Sequence, residues 1–133
     1  MPPQAKMLAS GKTLIVTASN DRERMVRLED AGAEILVLPG AAGRVDVAQL
    51  MQELAVREIN ELMVEAGCTL NGALLQAGVV DELVMYVAPI LLGDTARGLF
   101  ALPELTDMAG RTDVRIVDTR MVGKDSRITA RLG

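Results

Sequence analysis

Glu65 stands at the end of a short apolar run, Leu62-Met63-Val64, and the small residues Ala66 and Gly67 follow it at once. A helical pattern then opens at Thr69. A strand-end acid beside a glycine turn and a helix start is an arrangement suited to small molecules. Open α/β sheets place their ligands at the carboxyl ends of strands. A helix N-terminus adds unpaired N–H groups and the positive end of a dipole, both matched to phosphate. The acid suits sugar hydroxyls or assistance to a proton transfer. Taken alone, it reads more simply as a solvated residue at a loop start.

Gly67-Cys68-Thr69-Leu70-Asn71-Gly72 has the G-x4-G spacing of a phosphate loop. Ala73 and Leu74 occupy the positions where that loop requires Lys and Ser or Thr, which excludes a nucleotide triphosphatase of this type. The pattern is not GxGxxG either. What remains is a glycine turn into a helix, compatible with phosphate or dinucleotide binding and equally with a plain strand–helix connection. Cys68 lies at a helix start, where thiolates are favoured, but the chain has no histidine to pair with it, so it reads as a small turn residue. Asp81-Glu82 precedes a strand, at the end opposite to where α/β sites form, and reads as loop-capping. Arg97, between Ala96 and Gly98, is a loop cation open to an anion or to solvent.

Composition narrows the classes. The absence of histidine removes Ser-His-Asp and Cys-His catalysis and His-ligated zinc. No metal site is expected. A net charge of −4 with no basic run, and only Phe100 and Tyr86 as aromatics, argues against nucleic acid. No apolar run approaches bilayer length, and no charged region followed by an apolar one marks the N-terminus, so a cytoplasmic location without membrane partners is expected. With 133 residues, half of them hydrophobic, the chain reads as a single domain, residues 1–133, able to bury a core of aliphatic residues and methionine. The eight methionines are scattered through apolar stretches and read as core filler.

The elements that would position these residues follow from pattern. Lys12 to Ala18 is a strand rich in β-branched residues. Ser19-Asn20-Asp21 offers caps for a helix from Arg22 to Ala31 with Met25, Val26 and Leu28 inward, ended by Gly32. Glu34 to Leu38 is the next strand, and Gly40 to Gly43 a small-residue loop. Asp46 caps a helix to Arg57 with Val47, Leu50, Met51 and Leu54 on one side. Glu61 to Glu65 is a third strand, and Thr69 to Ala77 a helix ended by Gly78. Leu83 to Leu92 is a long strand interrupted by Pro89. Gly93 to Gly110 is loop with one helical turn near Pro103. Val114 to Met121 alternates, with Val114, Ile116 and Asp118 on one face and Arg115 and Val117 on the other. Arg127 to Leu132 completes a hairpin. The order βαβαβα and then three strands implies one open sheet with an antiparallel tail.

The stretch VEAGCTLNGALLQAGVVDELVMYVAPILLG closely resembles the reductase domain of the bifunctional riboflavin-biosynthesis deaminase–reductase. The V-E-A-G turn, the L-x-x-x-L-L helix, V-D-E-L, A-P-x-L-L-G and the later Ala96-Arg97-Gly98 carry the likeness, and the rest of the chain fits the same layout. The resemblance implies a dihydrofolate-reductase-like three-layer sandwich, with a mostly parallel sheet and antiparallel C-terminal strands. It implies NADPH as cofactor, and reduction of 5-amino-6-(5-phosphoribosylamino)uracil to the ribitylamino product. It places Glu65 at the substrate's sugar. Gly67, Cys68, Thr69, Leu70, Asn71, Gly72 and Ala73 border the cofactor's pyrophosphate and nicotinamide side, and Thr17 and Ser19 its adenosine side. Ala66 and Cys68 depart from the commoner residues of the motif. Upstream motifs of the family domain and its zinc deaminase domain are not present, so the chain is expected to be an N-terminally truncated part of the reductase domain. A homodimer is expected, favoured by the long apolar strand from Leu83. Two alternatives stay open: a non-catalytic folding or dimerisation module, and a pterin-type NADPH reductase of the same fold.

Overall fold

A computed structural model describes residues 2–10 and 12–133, and the chain forms two compact units, Met1–Leu62 and Met63–Gly133.

The first unit is a strand–helix–strand motif followed by a helix. Strands β1 (Thr13–Thr17) and β2 (Ala33–Val37) pair in parallel, with Thr13 opposite Ala33 and Thr17 opposite Val37. Helix α1 (Arg22–Asp30) connects them. Of the three candidate caps, Asp21 is the one used: a carboxylate oxygen accepts from the Arg24 amide at 3.1 Å. Leu28 is buried and Met25 half-buried, whereas Val26, expected inward, faces solvent. The reason is helical angle: at 100° per residue, Val26 lies off the stripe that Met25 and Leu28 share. Leu28 meets Leu8 and Ala33 in a small core to which Ala5, Ile15, Ala31 and Ile35 add partly buried area. Helix α2 (Val47–Val56) repeats the capping device, with Asp46 accepting from the Gln49 amide at 2.9 Å, and it buries Leu54.

An ion pair ties β2 to the end of α2. Arg57, the residue that closes α2, donates to Glu34 at 2.6 Å. That hydrogen bond, reinforced by the guanidinium's charge, holds the Glu34 carboxyl below the ordinary glutamate range and Arg57 above its own.

The expected third strand is absent. Residues 59–67 are irregular, and Leu62, Met63 and Val64 are all exposed, Met63 at 83%. A strand exists by its ladder of hydrogen bonds, and among the described residues β1 and β2 pair only with each other. The parallel part of the architecture therefore comprises two strands.

The second unit holds helix α3 (Cys68–Gln76) and an antiparallel sheet of β3 (Glu82–Val87), β4 (Val114–Val122) and β5 (Asp125–Leu132), in the order β3-β5-β4. Strand β3 stops before Pro89, whose missing N–H cannot extend a ladder, so it is shorter than the apolar run that encodes it. The helical turn expected near Pro103 lies instead at Met108–Gly110, where the Asp107 carboxylate accepts from the Ala109 amide at 2.9 Å. Strands β4 and β5 form the expected hairpin, with Val122 opposite Asp125 across Gly123-Lys124. Gly123 has φ +64, the conformation that a two-residue II′ turn needs at its first central position.

A bulge in β4 reverses one expectation. The register shifts between Ile116 and Asp118, so Asp118 pairs with Thr129. Residues opposite one another share a face. Asp118 therefore leaves the face of Val114 and Ile116 and joins Arg115, Arg120, Arg127 and Arg131, where it meets Arg120 at 3.7 Å and Arg127 at 3.8 Å. Arg131 pairs with Glu82 across the sheet at 3.4 Å.

The Glu34–Arg57 pair sets a pH signature. Because the folded-state pKa of Glu34 is depressed, its contribution is present above the unfolded value and is lost as pH falls through the folded one. Glu34→Gln is expected to lower the melting temperature at neutral pH, with the gap from the parent closing as pH falls below the ordinary glutamate range. A gap independent of pH would show that the pair does not act through Glu34's charge.

Candidate functional site

The residues singled out from the sequence fall into the two units. Thr17 and Ser19 belong to the first; Glu65 and the run Gly67 to Ala73 belong to the second.

In the second unit, Gly67 is the N-cap of α3, in an extended conformation and with no side chain to occupy the helix end. The first intrahelical bond runs from the Asn71 amide to the Gly67 carbonyl at 3.1 Å. Helix geometry leaves the amides of Cys68, Thr69 and Leu70 without internal acceptors, and among the described residues none takes another. A side chain added at Gly67 would meet nothing within 4 Å. The helix end is open and rich in donors. Glu65 is exposed two residues before it, with no ion pair or hydrogen bond among the described residues.

The remaining residues of the run build the support. Asn71 uses its amide as a fork, donating to the Ala66 and Leu99 carbonyls at 3.2 Å each. One arm fixes the turn that follows Glu65, and the other pins the loop after Gly98. The Ala101 amide then donates to the Cys68 carbonyl at 2.9 Å. Gly72 is buried where that loop crosses: a Cβ there would collide with the carbonyl oxygen of Ala101 and come within 2.9 Å of its carbon and 3.0 Å of its nitrogen. The Leu99–Ala101 strap was not legible as part of the site. Its one signal was the pairing of two glycines with an asparagine on a helix, which fits close backbone approach as well as phosphate binding. Cys68 is a half-buried free thiol. Arg97, two residues before the strap, has no ion pair among the described residues.

In the first unit, Thr17 and Ser19 line a cavity of about 230 Å³ at the carboxyl end of β1, together with Asp21 and Arg24 from the start of α1. Ile15, Met25, Leu28 and Ile35 also line it. The Thr17 hydroxyl oxygen accepts from the Ser19 amide at 3.0 Å, and the Ser19 hydroxyl oxygen from the Asp21 amide at 3.2 Å. Both hydroxyl protons stay available for a ligand. Arg24 was not among the residues picked out from the sequence.

A parallel strand pair with its connecting helix, an antiparallel sheet, and a glycine-capped helix start behind an acid define an α/β domain of the dihydrofolate-reductase-like class. The chain belongs to the RibD C-terminal domain family, whose profile matches residues 1–127. It is similar to the riboflavin biosynthesis protein RibD of Escherichia coli (strain K12), 49% identical over 90 residues, which are 68% of this chain and 24% of that protein. It is also similar to the 5-amino-6-(5-phosphoribosylamino)uracil reductase of Buchnera aphidicola subsp. Acyrthosiphon pisum, 32% identical over 85 residues, 64% of this chain and 41% of that one. The solved structure of Acinetobacter baumannii RibD, form 2, superposes with a TM-score of 0.81 at 28% identity, covering 100% of this chain and 35% of that one. The chain thus spans well under half the length of these relatives.

The Buchnera relative is named a reductase, an activity that takes a nicotinamide cofactor. The structure fits such a group: unpaired amides at the α3 start suit a pyrophosphate, and the open space beside Gly67 admits it. Among the described residues no helix is long and apolar enough to cross a membrane, and no cluster of acids and cysteine could hold a metal ion.

The crossing at Gly72 is open to direct test. Gly72→Ala is expected to destabilise the fold by roughly 1–3 kcal/mol, the range for overpacking a close contact, measured as a drop in the denaturation midpoint. Asn71→Ala is expected to loosen the strap, seen as faster amide exchange at Ala101. Unchanged stability in the glycine variant would show that the strap is not seated on α3.

Proposed function

We propose that the chain carries the cofactor-binding part of an NADPH-dependent reductase acting on 5-amino-6-(5-phosphoribosylamino)uracil in riboflavin biosynthesis, yielding the ribitylamino product. The observation that carries this reading is the set of unpaired amides at Cys68, Thr69 and Leu70, directly behind the exposed acid Glu65, in a chain of this family. When bound, NADPH supplies a hydride. The protein's task is to hold two reacting carbons close together, which needs no nucleophile and no histidine. The amides of residues 68–70 bind the pyrophosphate. Asn71 and Gly72 keep that helix end and the strap in one fixed arrangement. Glu65 accepts hydrogen bonds from the sugar hydroxyls and orients the opened ribose chain. Thr17 and Ser19 face the adenosine side. A cytoplasmic location and a homodimer belong to the same reading, the dimer supported by exposed apolar side chains on β3 and β4 such as Val84, Tyr86 and Ile116.

A second reading, a non-catalytic folding or dimerisation module, draws on the exposed Leu62-Met63-Val64 segment, an apolar run without a strand partner. Titration with NADPH followed by a reductase assay separates the two. Saturable binding with turnover supports the enzyme; a stable dimer that binds no nicotinamide supports the module. In the active protein, Glu65→Gln is expected to lower kcat/KM roughly tenfold or more, the scale of a hydrogen bond to a charged group, with NADPH affinity unchanged. Equal turnover in the variant removes Glu65 from the site.

A further inference from the structure

The register of the antiparallel sheet lays rows of side chains across one face, each row taking one residue from β3, β5 and β4 in turn. Glu82, Arg131 and Arg115 form one row, Val84, Thr129 and Asp118 the next, and Tyr86, Arg127 and Arg120 the third. The first row supplies its own acceptor, since Arg131 donates to Glu82 at 3.4 Å. The third row holds three donors and no carboxylate. The acids flanking it are Asp118 and Asp125. An Asp118 oxygen stands 3.7 Å from Arg120 and 3.8 Å from Arg127, near enough to pair charges and too far to accept a hydrogen bond. Asp125 lies opposite Val122 and makes no ion pair among the described residues. Neither guanidinium of the third row, nor the Tyr86 hydroxyl, makes a hydrogen bond among the described residues. Yet the Arg127 side chain is only 20% exposed. Its same-face neighbour on β5, Thr129, is 6% exposed, and the Thr129 hydroxyl is buried without a partner. Polar groups held out of water without hydrogen bonds are costly. Two of them at successive same-face positions leave this face short of an acceptor.

We propose that the row Tyr86, Arg127 and Arg120 is a phosphate site, taking the free ion or the phosphate group of a small-molecule ester. Neighbouring strands lie about 5 Å apart, so the two guanidiniums meet an anion from adjacent strands and the phenol hydroxyl meets it from the third. Each guanidinium presents a flat fork of N–H groups suited to phosphate oxygens. A tetrahedral oxyanion has acceptors for all three donors, whereas a carboxylate has two oxygens in one plane. Once the guanidiniums turn to the anion, Asp118 is free to accept from the Thr129 hydroxyl, its cross-strand partner. The buried orphan is then satisfied in the bound state. Tyr86, 60% exposed, adds a ring face on which a ring-bearing ester can lie. The site shares no residue with Glu65 or with the turn from Gly67, and it does not depend on the reductase activity.

The test is titration of the full chain with inorganic phosphate and with phenyl phosphate at constant ionic strength, followed by NMR at the backbone amides and the arginine Nε–H groups. Saturable shifts are expected at Arg120, Arg127 and Thr129. Arg120→Ala changes an exposed side chain on a strand at the sheet's edge and is expected to weaken phosphate binding on the order of tenfold. Tyr86→Phe is expected to weaken it less. Asp118→Asn, which removes the competing charge, is expected to tighten it, and Arg115→Ala in the first row to leave it unchanged. Tighter binding of phenyl phosphate assigns the site to a ring-bearing ester and equal binding to the free ion; both uphold it. Equal phosphate affinity in Arg120→Ala and the parent overturns the proposal. Shifts confined to the amides of residues 68–70 overturn it too, because the anion is then held at the α3 start. So does the absence of any saturable shift in the row, as when a second copy covers it.

Discussion

The close approach between Gly72 and the backbone of Ala101 is the contact on which the second unit's site depends. With hydrogen as its side chain, Gly72 lets the chain after Gly98 lie directly on α3. The Ala101 amide then reaches the Cys68 carbonyl, and Asn71 reaches Leu99 and Ala66 together. A single methyl group at this point would push the strap outward and break its two links to α3, those of Ala101 to Cys68 and of Asn71 to Leu99, because neither short polar bond tolerates a shift of an ångström. Asn71 also serves Glu65. Its position relative to the open amides of α3 is held by the Ala66 carbonyl, which Asn71 grips. The residues that resemble a phosphate loop are thus divided in function: the first part presents donors, and the second part, Asn71 and Gly72, fixes the frame that carries them.

The helix starts of the two units are built differently. Each has a helix whose start is left open to solvent, but the caps differ. In α1 the Asp21 carboxylate occupies one amide and adds a negative charge; in α3 Gly67 occupies none. An uncapped start is the less stable choice for a helix, by the loss of a side-chain hydrogen bond, and leaves more donors for an anion. The capped start needs a separate cation to attract one, and Arg24 lies in the cavity beside it.

Much of this was legible in the residues themselves. Asp46, and Asp21 as one of three candidates, were recognisable as caps because a short acid before a helical pattern has a local reason to be there, and both cap. The C-terminal hairpin was legible from its two alternating runs, while the structure narrows its turn to Gly123-Lys124 and starts the last strand at Asp125. The family motif around Glu65 and Gly67 also identified the fold class, which the structural likeness bears out. Where the sequence pattern misled, the cause was non-local. Leu62-Met63-Val64 has the composition of a strand, but a strand also needs a neighbour, and composition is silent about neighbours. Asp118 follows Val114 and Ile116 at a spacing of two, yet the bulge before it moves it to the arginine face.

The sequence by itself determined the helices and most of the strands, the chemistry excluded by the absence of histidine, and the family. These depend on residue type and on spacing within a turn or two of chain, where sterics and capping act. Tertiary structure alone decided that Leu99 to Ala101 straps α3, that Asp118 joins four arginines, and that Arg24 shares a cavity with Thr17 and Ser19. The strap joins residues about thirty positions apart, and no short-range preference encodes it. The bulge changes which face a side chain takes through a single extra residue in the ladder. The cavity exists only once β1, β2 and α1 have packed, because its lining comes from all three.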